Sequence, residues 1–210
     1  MLLAIDTSIG TSVAVVDRDA GVLAERSSLD TRGHAESIGT FIAECLDASG
    51  IHRRQLSGVA IGMGPGPFTG LRVGIAAGRA FALGLGMPVV RVVSHDAIAF
   101  ERYFGGHTGP LTVVTDARRR ELHVTTYSGS DSDGLPERII GPELAKADTF
   151  ITADPGGSTA LSGLSAAVSA AALGMLAERM LVLGRPFAGA EAIYLRSPDV
   201  TVSAGPKRVS

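Results

Sequence analysis

The stretch that decides the fold is Gly62-Met63-Gly64-Pro65-Gly66-Pro67-Phe68-Thr69-Gly70-Leu71-Arg72-Val73-Gly74. It follows the apolar run Val59-Ala60-Ile61 and leads into a long apolar segment, which predicts a strand, a glycine-rich loop and a helix. Such loops often hold phosphate, because glycines admit an anion close to the backbone and helix N-termini offer unpaired N–H groups. This loop matches neither common phosphate motif, because no Lys-Ser/Thr pair follows and Pro67 stands where G-x-G-x-x-G requires glycine. The sequence therefore predicts a loop stiffened by its prolines that shapes a surface.

A row of small residues continues along the predicted helix at a spacing of four: Gly70, Gly74, Gly78 and Ala82. Residues four apart share one face of a helix. Each glycine costs a helix about 1 kcal/mol relative to alanine. Close packing against another backbone is therefore expected to compensate for the stability that the row of glycines loses. That backbone is either the sheet of the same chain or a partner helix. Arg72 and Arg79 lie on another stripe, where they either reach acidic groups of a partner or extend into solvent.

Composition indicates a globular α/β protein with a substantial core. The chain has 210 residues, of which 45% are hydrophobic and 19% charged, and its net charge of −2 gives no general attraction to nucleic acid. Two basic clusters, His52-Arg53-Arg54 and Arg118-Arg119-Arg120, are interpreted as solvated turns. The single cysteine, Cys45, excludes an internal disulfide and is predicted to pack in the core.

No targeting or membrane segment is expected. The chain opens on an apolar strand that reaches Asp6 at once, and the apolar stretch from 166 to 183 is interrupted by Ser169, Gly174, Glu178 and Arg179. That stretch is predicted to be an alanine-rich helix, too polar and too short to span a bilayer. The expected location is therefore the cytoplasm.

Catalytic and metal-binding constellations are not expected. No two histidines are four apart, so no helix presents a histidine pair to a metal. The triplet Ser94-His95-Asp96 carries the letters of a catalytic triad, but consecutive residues do not face one another. We interpret it as the start of a helix with Ser94 as the N-cap.

A repeated pattern predicts two related halves. The strand 2–6 ends at Asp6 and the strand 111–115 ends at Asp116, and each is followed by a turn and a second strand. This arrangement resembles the plan of the actin, Hsp70 and sugar-kinase superfamily, in which two ribonuclease-H-like halves each present a hairpin to a nucleotide phosphate. We place the halves at 1–105 and 106–210 and expect the second to be reduced, with polar loops over 128–134 and 154–163.

The two predicted hairpin turns differ in their fitness for phosphate. The first turn, from Asp6 through Thr7 and Ser8, has small side chains that would let backbone N–H groups reach a phosphate. The second turn lacks glycine and carries the three arginines 118–120. A vestigial nucleotide site at Asp6, Thr7, Ser8 and Asp116 is one interpretation. The alternatives are a metal bound jointly by the two aspartates, and structural hydrogen bonding within the turns.

Several segments resemble the TsaB family, also called YeaZ. The most specific is Gly64–Gly74, and the others are Leu3–Ser8, His34 at the start of a helix, Asp116-Ala117-Arg118 with Glu121, and Tyr194-Leu195-Arg196. The resemblance spans nearly the whole chain. This sequence departs from the family at Pro67, where serine is common, and in a shortened region between Tyr127 and Ala166.

The resemblance implies an actin-like (ASKHA) fold of class α/β and a subunit without catalysis of its own. Such proteins pair with the transferase TsaD, are joined by the ATPase TsaE, and support transfer of threonylcarbamoyl to N6 of adenosine 37 in tRNAs that read codons beginning with A. ATP and a metal ion then belong to the partner subunits, and this chain lacks the His-x-x-x-His of TsaD. Direct contact with tRNA stays open, and a homodimer is possible in isolation. The implied interface comprises His34, Ile38, Phe68, Thr69, Gly70, Arg72, Gly74 and Gly78.

Two other functions are weighed against this one. A nucleotide-dependent kinase or hydrolase of the same superfamily would need glycine-rich turns after both aspartates, and the second turn has none. A peptidase would need a nucleophile or metal constellation. If the glycine row meets a partner helix, Gly74→Leu is expected to block heterodimer formation and to leave a folded monomer.

Overall fold

A five-stranded mixed sheet forms the first half of the protein. The structure is a computed structural model that describes residues 1–148 and 168–196. The strands are β1 (Leu2–Asp6), β2 (Thr11–Asp17), β3 (Gly21–Ser28), β4 (Gly58–Gly62) and β5 (Val89–Val92). Their order is β3-β2-β1-β4-β5, in which β1 to β3 are antiparallel and β4 and β5 run parallel to β1. All residues of β1 and β4 are buried, as expected for strands covered on both faces.

Helices cover this sheet on both sides. Over the described residues, the helices for which both ends are defined are α1 (His34–Ser49), α2 (Phe68–Leu85), α3 (Ser94–Phe104) and α4 (Ala170–Val182), together with a 3₁₀ turn at Arg53–Gln55. Helices α1 and α2 bury one face of the sheet in a core that includes the free Cys45, as predicted. Helices α3 and α4 bury the other face. The Oγ of Ser169 accepts the N–H of Ala172 and caps α4, and the first residues of the predicted helix from 166 lie outside the described residues.

A three-stranded antiparallel sheet forms the second half. Its strands are β6 (Leu111–Asp116), β7 (Glu121–Ser130) and β8 (Pro136–Lys146), in that order. The predicted polar loop over 128–134 is wrong in part, because β7 continues to Ser130 and only 131–134 form the turn. Strand β8 was not predicted, since it is largely exposed and contains Gly141-Pro142, residues that usually interrupt strands. The predicted loop over 154–163 lies outside the described residues.

The division of the chain at 105/106 separates the two sheets but not every element that covers them. Helix α4 belongs to the second half by position, yet its Gly174 packs against Ala4 and Val16 of the first sheet. Helix α3 packs on both sheets, with Ala97 and Phe100 in the first core and Ala99 and Tyr103 in the second. Assignment of 106–210 to a single domain therefore stays a prediction.

Candidate functional site

The first hairpin turn is a closed hydrogen-bonded unit. Asp6 ends β1, and its Oδ1 accepts the N–H of Ser8 at 2.8 Å and the hydroxyl of Ser8 at 2.6 Å. Its Oδ2 accepts the hydroxyl of Ser94 at 2.5 Å, and the Ser94 oxygen accepts the N–H of Gly64 at 3.0 Å. Burial raises the pKa of Asp6, and the hydrogen bonds from Ser8 and Ser94 oppose that shift. The prediction that Ser94 is an N-cap is wrong, because Val93 holds that position and the Ser94 hydroxyl binds Asp6.

The loop between β4 and α2 occupies the space over this turn. A Cβ atom added to Gly66 would lie 2.6 Å from the carbonyl oxygen of Ser8, and one added to Gly70 would lie 2.7 Å from that of Thr7. The Thr7 hydroxyl donates to the Gly70 carbonyl at 2.7 Å. The glycines of the loop therefore allow its backbone to pack directly against the carbonyl groups of the turn.

The second turn makes no direct contact with the first turn among the described residues. Asp116 is exposed and accepts the N–H of Arg118 at 2.7 Å. Arg118, Arg119 and Arg120 all have positive φ angles, of 62°, 54° and 62°, a conformation that costs a residue with a Cβ atom about 1–2 kcal/mol. Within residues 1–148 and 168–196, no hydrogen bond or ion pair joins Asp116 to the first turn, and no group of three potential ligands could hold a metal. Structural hydrogen bonding accounts for Asp6, and the vestigial nucleotide site stays a prediction.

The glycine row of α2 faces the protein's own sheet. The Cβ position of Gly74 overlaps the side chain of Thr7, and that of Gly78 lies 2.7 Å from Cδ1 of Ile61. The expectation that these glycines meet a partner helix is therefore wrong, because α2 follows β4 directly and packs on the sheet it leaves. His34 and Ile38, expected at the interface, are also only 6% and 7% exposed. The Gly74→Leu expectation fails with it, since a leucine there would overlap Thr7 in the monomer.

The opposite side of α1 and α2 is exposed and rich in small residues. We define the outer face as the exposed residues Ala35, Gly39 and Ala43 of α1 and Ala76, Ala80, Leu83 and Gly84 of α2. Leu83 is 84% exposed, and no heavy atom lies within 4 Å of a Cβ atom built on Gly39 or Gly84. Sequence reasoning missed this face, although Ala76, Ala80 and Gly84 repeat the spacing of four. Small residues line both sides of α2, so the spacing alone does not distinguish them.

Arg72 and Arg79 bind the C-terminal segment of the same chain. We define the strap as residues 186–196. The Arg72 guanidinium lies 3.6 Å from the ring centroid of Phe68, and its Nε donates to the Tyr194 hydroxyl at 3.3 Å. Arg79 donates to the carbonyl of Ala190. The alternative of two arginines free in solvent is therefore wrong, whereas their pairing with acidic groups of a partner stays a prediction.

Comparison with known proteins decides the family. The family model of TsaD, tRNA N6-adenosine threonylcarbamoyltransferase, matches residues 9–171. An uncharacterised protein of Mycobacterium tuberculosis is 42% identical over 166 residues, which are 77% of this chain and 71% of that protein. The Haemophilus influenzae tRNA threonylcarbamoyladenosine biosynthesis protein TsaB is 34% identical over 123 residues, 58% of this chain and 51% of that protein. The chain belongs to the TsaB (YeaZ) family.

Solved structures confirm the fold of this TsaB-family chain. YeaZ from Pseudomonas aeruginosa superposes with a TM-score of 0.73 at 22% sequence identity, over 87% of this chain and 92% of that one. A second structure, an uncharacterised protein with similarity to the peptidase YeaZ from Pseudomonas aeruginosa, gives a TM-score of 0.79 over 93% and 99%. The predicted α/β actin-like fold is therefore confirmed.

The triplet Ser94-His95-Asp96 of this TsaB-family chain joins its two halves. Ser94 binds Asp6 of the first sheet, whereas both ring nitrogens of His95 bind second-sheet hydroxyls: Nδ1 to Thr125 at 2.7 Å and Nε2 to Thr115 at 2.9 Å. Asp96 accepts hydrogen bonds from Tyr127 at 2.8 Å and from Arg138 at 3.1 Å. Since Ser94 and His95 bind different partners, they do not form a nucleophile and base pair.

Helix α2 also stands out for its composition. Among the described helices, it is the one long and apolar enough to cross a bilayer by those two criteria, with a mean hydropathy of 1.2 over 18 residues. Only 33% of these 18 residues are buried inside the protein. The exposed part of α2 includes the outer-face residues Ala76, Ala80, Leu83 and Gly84.

Acid is expected to destabilise this TsaB-family chain through His95. Burial lowers the pKa of His95 from 6.5 to about 3, with His123 and Arg138 adding to the shift. The unfolded chain then binds more protons than the folded chain below pH 6.5. The contribution of His95 is therefore fully present above that pH and decreases by about 1.4 kcal/mol per unit as pH falls toward 3.

Urea unfolding at pH 7.5, 6.5 and 5.5 measures this dependence, with His95→Gln as the comparison. The variant is expected to be less stable at pH 7.5 and to lose stability less steeply below pH 6.5. Burial also lowers the pKa of His34 and His123, whereas it raises that of Asp6 and Asp96, and the variant retains all four groups. Equal slopes for the two proteins would contradict the prediction.

Proposed function

We propose that this chain is the non-catalytic subunit of a complex that forms threonylcarbamoyladenosine in tRNA, and that it pairs with a TsaD-like transferase through the outer face. The observation that carries the proposal is the exposure of that apolar face on α1 and α2. The relatives from Haemophilus influenzae, Escherichia coli and Bacillus subtilis named TsaB are tRNA threonylcarbamoyladenosine biosynthesis proteins. Their names supply the pathway, and the outer face supplies the means of association.

A partner of related fold suits the geometry of the outer face. This chain matches the family model of TsaD itself, so a TsaD-like protein is expected to present equivalent helices. The small side chains of the outer face allow two such helix pairs to approach closely, as in a two-fold or pseudo-two-fold contact. The exposed acidic residues of α1 and the exposed basic residues of α2 favour α1 of one subunit lying beside α2 of the other: Glu36 and Asp47 on α1, and Arg72 and Arg79 on α2. The same symmetry permits a homodimer in isolation.

The proposal assigns the chemistry to the partners. ATP and the metal ion are assigned to the TsaD-like and TsaE-like subunits, and the packing of the loop between β4 and α2 on the carbonyl groups of Thr7 and Ser8 supports this assignment. The tRNA is the substrate of the complex, which we place in the cytoplasm. Within this complex the chain acts by shaping and stabilising the transferase.

Reconstitution tests the proposal directly. The chain is mixed with the TsaD-like and TsaE-like proteins of the same organism, and complex formation is measured by size-exclusion chromatography with light scattering. Threonylcarbamoylation of tRNA is then measured with this chain present or omitted. A heterodimer and activity that depends on the chain are expected. If neither is seen, and calorimetry shows that the isolated chain binds ATP, the kinase-like alternative replaces the proposal.

A further inference from the structure

The strap is joined to the first half by backbone and side-chain hydrogen bonds. The Ala188 N–H donates to the Arg91 carbonyl at 2.9 Å, and the Arg91 Nε donates to the Ala188 carbonyl at 2.9 Å. The Ile193 N–H donates to the Met63 carbonyl at 2.8 Å. Met63 belongs to the glycine-rich loop, so the strap is attached both to β5 and to the segment that leads into α2. These contacts hold Tyr194 beside the first turn of α2.

Tyr194 and α2 together form an accessible aromatic and cationic cluster. The rings of Phe68 and Tyr194 lie 4.9 Å apart between centroids, and Arg72 contacts both residues. Tyr194 is 37% exposed, Phe68 is half-buried and Arg72 is exposed. The cluster lies one helical turn before Ala76, so it is continuous with the end of the outer face.

We propose that Phe68, Arg72 and Tyr194 form an anchor of the interface with the TsaD-like partner, so that the partner recognises the strap together with α1 and α2. This inference rests on the proposed function, because it concerns the same surface. Tyrosine and arginine are over-represented among the residues that dominate binding energy at protein interfaces. The cluster is ordered by its internal contacts, which reduces the entropy lost when a partner binds.

The chemistry of the cluster indicates what it binds. Among the described residues, Arg72 uses only Nε as a side-chain hydrogen-bond donor. The terminal nitrogens of its planar fork remain available to a carboxylate, and the two rings offer apolar surface beside it. The partner is therefore expected to present an acidic side chain flanked by an apolar one.

Substitution of the two exposed aromatic residues of the strap tests the inference. Tyr194 and Phe187 are 37% and 36% exposed, but among the described residues only Tyr194 contacts another aromatic ring. The dissociation constant of the complex with the TsaD-like protein is measured by calorimetry for the wild-type chain and for Tyr194→Ala, Tyr194→Phe and Phe187→Ala. Tyr194→Ala is expected to weaken binding at least tenfold. Tyr194→Phe, which retains the ring, and Phe187→Ala are expected to stay within threefold of the wild type.

Each result bears on a separate claim. If the wild-type chain does not bind the TsaD-like protein, the proposed function fails. If it binds and Tyr194→Ala binds equally well, or if only homodimer formation weakens, the anchor is overturned. Should Tyr194→Ala unfold in a thermal melt, hydrogen exchange of the wild-type chain decides the question: slower exchange at the amides of Ala188 and Ile193 on complex formation supports the inference, and unchanged exchange overturns it.

Discussion

Leu83→Glu is expected to abolish the complex with the TsaD-like partner and to leave the monomer folded. Leu83 is 84% exposed near the end of α2, so a glutamate there is solvated in the free chain, and the two residues have similar helix propensities. In the complex, the carboxylate would be buried against an apolar helix without a counter-ion, which costs several kcal/mol. Binding is therefore expected to weaken at least a hundredfold, equivalent to about 2.7 kcal/mol. Calorimetry or size-exclusion chromatography measures it.

Leu181→Glu is the matched control. Leu181 is an exposed leucine near the end of α4, on the opposite side of the first sheet. The variant adds the same charge at a similar position relative to the end of its helix, so any general effect of charge or helix dipole is shared. It is expected to bind the partner with unchanged affinity. Equal weakening by both variants, or by neither, would contradict the assignment of the outer face.

Gly74→Ala is expected to destabilise the isolated chain by about 2 kcal/mol, because overpacking outweighs the gain of about 1 kcal/mol in helix propensity. The added Cβ atom would overlap the Oγ1 of Thr7 and lie 2.9 Å from its Cγ2. Thr7 cannot rotate freely, because its hydroxyl donates to the Gly70 carbonyl and its side chain is buried. Either the hydrogen bond breaks or α2 moves away from the sheet, and overpacking of this kind costs 1–3 kcal/mol or more. Urea unfolding measures the loss.

Gly39→Ala separates packing from backbone effects. Gly39 lies in the interior of α1, and a Cβ atom built there meets no heavy atom within 4 Å. The substitution is expected to raise the free energy of unfolding by up to about 1 kcal/mol, because alanine is the better helix former. Opposite signs for the two variants would establish that the glycine row is required by internal packing. A Gly74→Ala protein as stable as the wild type would refute that account.

The sequence predicted the local elements of the first half closely. The strand predicted before the glycine-rich loop is Gly58–Gly62, and the helix expected to start at His34 extends to Ser49. Apolar periodicity, glycine and proline are local signals, and they specify strands and helices whose faces are consistently buried or exposed. Strand β8 could not be predicted from the sequence, because it is mostly exposed and contains a Gly-Pro pair. Its position depends mainly on pairing with β7.

The sequence predicted part of the candidate site, and only the tertiary structure decided the rest. Specific residues of the glycine-rich loop and the hairpin turns determined the family, whose membership the comparisons confirm. Which side of α2 faces inward was decided only by tertiary structure, because small residues line both sides and the choice depends on contacts with Thr7 and Ile61 from distant strands. The contact between Arg72 and Tyr194 could not be predicted from the sequence either, because the two residues are 122 positions apart along the chain. The sequence by itself determined the elements and the family, whereas long-range packing decided which residues remained at the surface.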